Sequence, residues 1–188
     1  THTLQAAIAL AKDPDPKIQL QLLLMGSPAY PELQTVASAI LIRSMADPLF
    51  RAAALNAAAG RELELLQGLL ADPAFARAEA GQKDILNDLA ECVVRGRSAE
   101  RIEKLFDLIA TQSPTAAAMQ MSLLSGVAEA MIADPKTKTP RRLRQPRQPP
   151  GLEKLLKSSE KKIADLANKS QNGMTWPNKP GDTTPPLT

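Results

Sequence analysis

The segment DPKIQLQLLLMG, residues 15–26, returns in similar form 32 residues later as DPLFRAAALNA, residues 47–57. Each copy opens with Asp, a residue type that caps helix starts. A Pro follows, and its missing N–H is harmless at the first helical position. Apolar residues then occupy matching offsets, for example Ile18 and Phe50. A helical unit repeated at this spacing is typical of stacked helix pairs, in which each unit buries its apolar face against the next.

The composition of the 188-residue chain favours an all-α fold. Hydrophobic residues make up 44% of the chain but aromatic residues only 3%, so Ala and Leu must supply most of the core. β-branched residues are sparse, and the sequence has no run of strand length that alternates apolar and polar residues. Because no apolar run reaches the roughly 18–20 residues that cross a bilayer, we expect no membrane insertion.

Asp-Pro and Ser-Pro pairs divide the sequence into segments with helical periodicity. The pairs begin at residues 13, 15, 27, 47, 72, 113 and 134. Each one both caps a following helix and blocks extension of the preceding helix. The predicted helices cover residues 4–11, 16–25, 29–45, 61–71 and 82–95, with further helices after Asp47, Ser98 and Ser113. Their apolar stripes predict a core that includes Leu22, Leu23, Ile40, Leu55, Leu66, Leu89, Leu105 and Leu124.

The sequence predicts four regions. Residues 1–133 form the helical repeats, and residues 134–150 form a basic, Pro/Arg-rich exposed loop. Residues 151–171 form a helix or helix pair that packs on the array, and residues 172–188 form a Pro-rich linker to a missing downstream domain. Trp176, the only tryptophan in the chain, lies in that linker. We expect it to pack back against the helical body.

The residue types that catalysis or metal binding require do not cluster in the sequence. The chain holds one Cys, Cys92, and one His, so neither a Cys–His nucleophile pair nor a His/Cys metal site is expected. We interpret Asp13 and Asp15 as helix caps. Asp84 and Asp88 are interpreted as part of a solvated helix face. The sequence therefore predicts no catalytic, cofactor-binding or metal-binding residue in this chain.

One short segment concentrates the positive charge. Residues 136–150 contain six cations and no acid: Lys136, Lys138, Arg141, Arg142, Arg144 and Arg147. Without these six, the net charge of the chain falls from +3 to −3. A solvated insertion is the simplest interpretation, and the alternatives are contact with an acidic partner surface or with a phosphate backbone. No aromatic residue is interleaved to stack on bases, so nucleic acid is the least favoured alternative.

The helix pairs opened by Asp-Pro resemble HEAT-type repeats. Four stretches carry a narrower resemblance: residues 47–55, DPLFRAAAL; residues 61–73, RELELLQGLLADP; residues 124–130, LSGVAEA; and residues 176–187, the Pro-rich tail. They are similar to the helical-repeat region of large multidomain proteins of planctomycete and verrucomicrobial bacteria. In that family the region follows a sugar-dehydrogenase-like β-propeller and precedes, after a linker, a c-type cytochrome domain.

The resemblance implies an α-solenoid, a right-handed superhelical stack of antiparallel helix pairs, that serves as a spacer in an exported, periplasmic protein. Haem c would belong to the parent protein, since the family's Cys-x-x-Cys-His attachment motif is absent here and Cys92 is not followed by it. The predicted function is a non-catalytic scaffold that positions adjacent domains or a protein partner. The alternative is binding of nucleic acid or an acidic surface through residues 136–147.

Overall fold

Helices account for most of the molecule. The computed structural model describes residues 2–25, 34–78, 80–113, 116–132, 142–177 and 179. These residues form eleven α-helices and two strands of two residues each, which confirms the all-α prediction. The elements are α1 (His2–Leu10), α2 (Pro16–Met25), α3 (Gln34–Ser44), α4 (Pro48–Ala57), α5 (Glu62–Ala71), α6 (Pro73–Arg77), α7 (Gln82–Arg95), α8 (Ala99–Ala110), α9 (Ala117–Ala130), β1 (Leu143–Arg144), α10 (Pro150–Leu156), α11 (Lys161–Asn172) and β2 (Met174–Thr175).

The predicted Asp caps begin three helices. The Asp47 side chain accepts a hydrogen bond from the Leu49 N–H at 2.8 Å at the start of α4. Asp15 at the start of α2 and Asp72 at the start of α6 accept equivalent bonds, at 2.8 and 2.7 Å. In all three cases a Pro follows the Asp, so the N–H that a helix start leaves unpaired is missing. The sequence copies therefore encode the same local structure.

Replacing Asp47 with Ala should destabilise the first helical turn of α4. The Leu49 N–H would lose its acceptor, and caps of this kind contribute about 0.5–2 kcal/mol. Native-state hydrogen exchange of the Leu49 amide measures the loss directly. Asp47→Asn, which keeps a side-chain oxygen for the cap, is the matched control and should exchange close to the wild-type rate. Equal protection in Asp47→Ala would contradict a capping role for this side chain.

Helix starts without an Asp-Pro pair differ in how well the sequence predicts them. Ser98 caps α8 as predicted, accepting a hydrogen bond from the Arg101 N–H at 3.5 Å. α9 begins only at Ala117, and its N-cap residue, Ala116, provides no side-chain hydrogen bond. The predicted starts at residues 27 and 134 lie outside the described residues, as does Pro114. Residues 151–171 form a pair of helices rather than one long helix.

Four consecutive helices, taken along the chain as α2–α3 and α4–α5, form the centre of the first compact unit, Thr1–Ile85. α2 packs against α3 and α4, and α3 packs against α4 and α5. The first helices of the two pairs, α2 and α4, thus lie on each other, and so do the second helices, α3 and α5. The core between them is made of almost fully buried residues: Leu22, Leu23, Ile40, Leu41, Leu66 and Leu69. Leu55, which the sequence placed in this core, is only half-buried because Phe50, Ala53 and Ala54 occupy the inward face of α4.

Gly81 is required where the chain enters α7. Its φ of +77° lies in the left-handed region that side chains disfavour. A Cβ at this position would also lie 2.1 Å from the Met45 carbonyl oxygen. Both constraints come from the backbone, so no side-chain rotation relieves them. The glycine therefore allows the turn and the close approach to the residues after α3.

A second set of two helix pairs forms the second compact unit, Leu86–Thr188. The boundary with the first unit falls within α7. α8 packs against α9 and α10, and α11 packs against α9 and α10. This is the order of contacts seen in the first unit, since α8 lies on α10 and α9 lies on α11. Gly151 permits the α8–α10 contact, because a Cβ there would lie 2.3 Å from the Phe106 carbonyl. The predicted core residues Leu89, Leu105 and Leu124 are fully buried here.

Two short strands fasten the end of the second unit. β1 and β2 pair in parallel, with Leu143 beside Met174. The Leu143 N–H donates to the Gly173 carbonyl at 2.9 Å, and the Gln145 N–H donates to the Thr175 carbonyl at 2.8 Å. Leu143, Gln145 and Met174 are all buried. We expected an exposed loop at residues 134–150 and a linker at residues 172–188. The described parts of both segments are partly buried instead, because their backbone groups form hydrogen bonds with each other.

Candidate functional site

The basic segment is the feature that the sequence singled out for partner contact. Lys136, Lys138 and Arg141 lie outside the described residues. The other three cations, Arg142, Arg144 and Arg147, are all exposed, and Arg147 also takes part in an ion pair within the second unit. The structure therefore places all three where a partner could reach them, and one of them, Arg147, already has a carboxylate partner.

The exposure of Arg142 and Arg144 follows from the strand. Side chains along a strand alternate between its two faces. Leu143 and Gln145 are buried, so the arginines that alternate with them face away from the core. The apolar anchor at Leu143 thereby fixes the direction of both guanidinium groups. The sequence offered no signal for this, since a strand of two residues is too short to show a period.

Arg147 is held by a carboxylate on α8. Its Nη2 lies 2.6 Å from Glu103 Oε1, and its Nε donates to Glu103 Oε2 at 3.4 Å. The hydrogen bond and the attraction of that carboxylate raise the pKa of Arg147 further above its ordinary value. A bidentate pair of this kind fixes the orientation of the guanidinium as well as its charge. Arg147 therefore ties the basic segment to α8 and contributes less than Arg142 and Arg144 to an external contact.

A groove between α9 and α11 brings Arg142 together with a second cation. We call it the α9–α11 groove, and it encloses about 570 Å³. Residues from the end of α9, from the end of α11 and from the start of the strand segment line it: Ser125, Ala128, Glu129, Met131, Ile132, Arg142, Leu166, Lys169, Asn172 and Gly173. Within the part of the chain that the structure describes, neither Arg142 nor Lys169 makes an ion pair or a side-chain hydrogen bond.

Apolar side chains contribute the rest of the groove surface. Ile132 is 65% exposed, the largest exposed fraction among the described large hydrophobic residues. Leu166 is half-buried beside it along the lining. Gly173 leaves room for the Met131 side chain, whose Sδ would lie 2.3 Å from an added Cβ. The groove thus combines an apolar surface with two cationic groups.

Trp176 and Lys179 hold the segment after β2 against the end of α11. Trp176 is 8% exposed, which confirms that it packs against the helical body. The Lys179 ammonium lies 5.0 Å from the centre of the Trp176 ring. It also donates to the Gln171 carbonyl at 2.6 Å and to the Met174 carbonyl. A cation at the C-terminal end of a helix interacts favourably with the helix dipole, so this contact stabilises both α11 and the segment after β2.

The aspartates weighed as metal ligands have structural partners. Asp13 accepts a hydrogen bond from the Asp15 N–H at 2.9 Å, and Asp15 caps α2, as the sequence predicted. Asp84 lies 3.4 Å from Arg51 Nη2 with 60% of its side chain exposed. Cys92 is half-buried on α7. Among the described residues, no three His, Cys, Asp or Glu side chains are close enough to hold a metal ion.

An exposed ion pair on α10 shifts the titration of its carboxylate. The Lys157 ammonium, 2.6 Å away, donates a hydrogen bond to Glu153, and this bond together with the ammonium charge lowers the pKa of Glu153.

Lys157→Met should therefore raise the Glu153 pKa towards its ordinary value. Because the folded-state pKa is the lower one, the pair's stabilisation is complete above the unfolded-state pKa and is lost as the pH falls through the folded-state value. NMR titration of the side-chain carboxyl carbon measures this shift, with Lys161→Met as the control. An unchanged Glu153 titration in Lys157→Met would show that the pair does not persist in solution.

Comparisons with known proteins do not add a family to this description. The chain matches no protein-family model, no curated protein and no solved structure. None of the helices in the described residues combines the length and the apolar character needed to cross a membrane. The groove, the strand pair and the helix packing are therefore the observations on which a functional proposal can rest.

Proposed function

We propose that this chain is a non-catalytic helical-repeat module that positions neighbouring domains or a protein partner. One observation carries the proposal: in each unit, four consecutive helices pack with the first on the third and the second on the fourth, which are α2 on α4 and α3 on α5, and α8 on α10 and α9 on α11. Packing of this order lets each pair complete the buried face of the next, as stacked repeats require. By resemblance, the neighbouring domains would be a propeller dehydrogenase and a c-type cytochrome, and the stack would be an α-solenoid.

The buried composition supports a mechanical role. Leu and Ala dominate the core, and the polar or charged residues buried in the described part of the chain are Gln120, Gln145 and Ser170. Gln120 donates to the Ile109 carbonyl at 2.9 Å, and Ser170 donates to the Leu166 carbonyl at 3.0 Å. Both bonds satisfy helix backbone. Close-packed apolar interiors resist deformation, and a spacer needs this property.

A distance measurement tests the spacer role. Spin labels at Lys12→Cys and Gln67→Cys, in a Cys92→Ala background, report a distance across the first unit by double electron–electron resonance. A positioning module should give a single narrow distance distribution. Labels at Lys104→Cys and Lys161→Cys, both in the second unit, provide the width expected of a rigid body. A distribution much broader for the first pair than for the second would overturn the proposal.

A second candidate function is contact with an acidic surface through residues 136–147. Arg142 at the edge of the α9–α11 groove favours it, because this residue is exposed and makes no ion pair with any of the described residues. The corresponding nucleic-acid alternative should show retention on DNA or RNA that weakens steeply with salt, because each phosphate contact releases counterions. Lack of retention at low salt would eliminate that alternative.

A further inference from the structure

We propose that the α9–α11 groove binds an acidic peptide segment that inserts an apolar side chain. This inference rests on the proposed function, since it names the kind of partner that the scaffold would hold. Three properties of the groove favour such a ligand: its charge, its apolar surface, and its fit to a peptide rather than to a nucleic acid.

The charge of the groove favours a carboxylate-bearing ligand. Arg142 and Lys169 line it, and among the described residues of the lining the only acid is Glu129. Within the described residues neither cation forms an ion pair, with Glu129 or with any other carboxylate, so a ligand carboxylate would break no existing pair. Complementary charge of this kind selects acidic partners and accelerates their association.

The helix ends beside the groove oppose an acidic ligand less than free helix C-termini would. At the end of α9, the Ala128 and Glu129 carbonyls accept hydrogen bonds from the N–H groups of the next residues along the chain, Met131 and Ile132. At the end of α11, the Gln171 carbonyl accepts a hydrogen bond from the ammonium of Lys179. Occupied carbonyls and a nearby cation weaken the negative end of a helix dipole. The charges of Arg142 and Lys169 therefore dominate the groove.

The apolar surface of the groove favours a ligand that has apolar side chains as well as charged ones. Ile132 exposes 65% of its surface and lies in the same groove as Leu166 and Ala128. A ligand that covered Ile132 with an aliphatic side chain would remove apolar surface from water on both partners. A purely ionic ligand would leave this surface exposed. The groove is therefore matched to a segment that carries both acidic and apolar residues.

A peptide fits the groove better than a nucleic acid does. The lining residues include no aromatic side chain on which a base could stack. A volume of about 570 Å³ accommodates a few side chains, which lies within the range of roughly 300–1,000 Å³ typical of ligand sites. Apolar contact also offers nothing to a sugar-phosphate backbone. We therefore treat nucleic-acid binding as the competing outcome of the experiment.

The experiment uses the full chain and a defined probe. The probe is a short fluorescein-labelled peptide in which two leucines are embedded among glutamates and serines, and binding is followed by fluorescence anisotropy. Arg142→Glu combined with Lys169→Glu should weaken binding at least roughly tenfold. Ile132→Ser should weaken it roughly three- to tenfold, since a contact with an aliphatic side chain is lost. A probe with serine in place of leucine should lose a similar factor.

The controls separate the groove from general electrostatics. Lys154→Glu combined with Lys161→Glu makes the same change in net charge on exposed lysines of α10 and α11 that do not line the groove. This variant should bind the probe within about twofold of wild type. Equal losses in the two charge-reversal variants would overturn the proposal, as would tighter binding of an oligothymidine of the same length. Circular dichroism of each variant confirms that the fold is retained.

The two proposals fail in different ways. A narrow spin-label distance with no probe binding would leave the spacer intact and reject the peptide groove. Groove-dependent probe binding with a broad distance distribution would support the groove and reject the rigid spacer.

Discussion

Replacing Gly126 with Ala should destabilise the second unit by about 1–3 kcal/mol or more, although alanine is the better helix former. Gly126 lies inside α9, and a Cβ there would lie 2.1 Å from the Asn87 carbonyl oxygen of α7. The carbon atom of that carbonyl would be only 2.9 Å away. Because both atoms belong to the backbone, no rotamer change relieves the clash. The α7 and α9 backbones would have to separate, and the packing around them would be lost.

Urea unfolding followed by Trp176 fluorescence measures this effect. Trp176 is the only tryptophan of the chain and is buried in the second unit, so its signal reports that unit. Gly68→Ala in α5 is the matched control, since nothing lies within 4 Å of a Cβ at that position. Because Gly68 lies in the first unit, unfolding of the control is followed by far-UV circular dichroism, and it should stabilise its helix by about 0.5–1 kcal/mol, as alanine does in an exposed helix interior. A Gly126→Ala chain as stable as wild type would show that the close α7–α9 approach does not exist in solution.

Leu66→Ala should destabilise the first unit by about 2–5 kcal/mol, the usual loss for a fully buried leucine. Leu66 lies in α5 with none of its surface exposed. The substitution removes buried methyl groups and leaves a cavity between helices that cannot fully collapse. Hydrogen exchange of the α4 and α5 amides measures this loss under conditions where exchange requires the unit to open. These amides should exchange at least roughly 30-fold faster than in the wild type.

Leu49→Ala provides the matched control in the same unit. Leu49 is 58% exposed on α4, and surface substitutions of this kind usually stay within about 0.5 kcal/mol. Leu55→Ala should fall between the two variants, because Leu55 is half-buried. If the three variants lost protection equally, exposure in the structure would not predict the contribution of each leucine to the core.

The helices were predictable from sequence where local signals agree. At α4 the Asp cap, the Pro at the first helical position and the apolar stripe all indicate the same start. At α7 the period alone was enough, and the observed bounds, Gln82–Arg95, equal the predicted ones. α6 was missed, because Pro73–Arg77 is too short to show a helical period. Local chemistry therefore predicts the long helices and the capped starts.

The features of the candidate site could not be predicted from sequence, because they join residues that are far apart along the chain. Arg142 reaches the groove that Lys169 lines, and Arg147 pairs with Glu103, 44 residues away. Neither contact leaves a local pattern. The basic segment was recognisable by its charge, but the sequence did not predict that Leu143 would be buried among those cations. Only packing determines which members of a charged run face outward.

The stacking order of the helix pairs goes beyond the repeat that the sequence displays. The copies at residues 15–26 and 47–57 anticipate the α2–α4 contact. Between α8 and α10 no comparable sequence copy is visible, yet the same order of contacts occurs. Ridges of Leu and Ala pack in the same way without sharing a motif, so packing preserves the arrangement where the sequence signal has faded. The solenoid geometry itself stays a prediction.

The parallel β1–β2 pair also affects how the chain folds during synthesis. The whole of α10 and α11 lies between the two strands, so Thr175 leaves the ribosome after both helices. At synthesis rates of roughly 5–20 residues per second, Leu143 waits about 2–6 s for its partner strand. During that interval the Leu143 side chain and the backbone groups that β2 pairs with are open to other nascent chains. Ribosome pausing before Met174 should therefore increase misassembly, whereas pausing after Thr175 should have little effect.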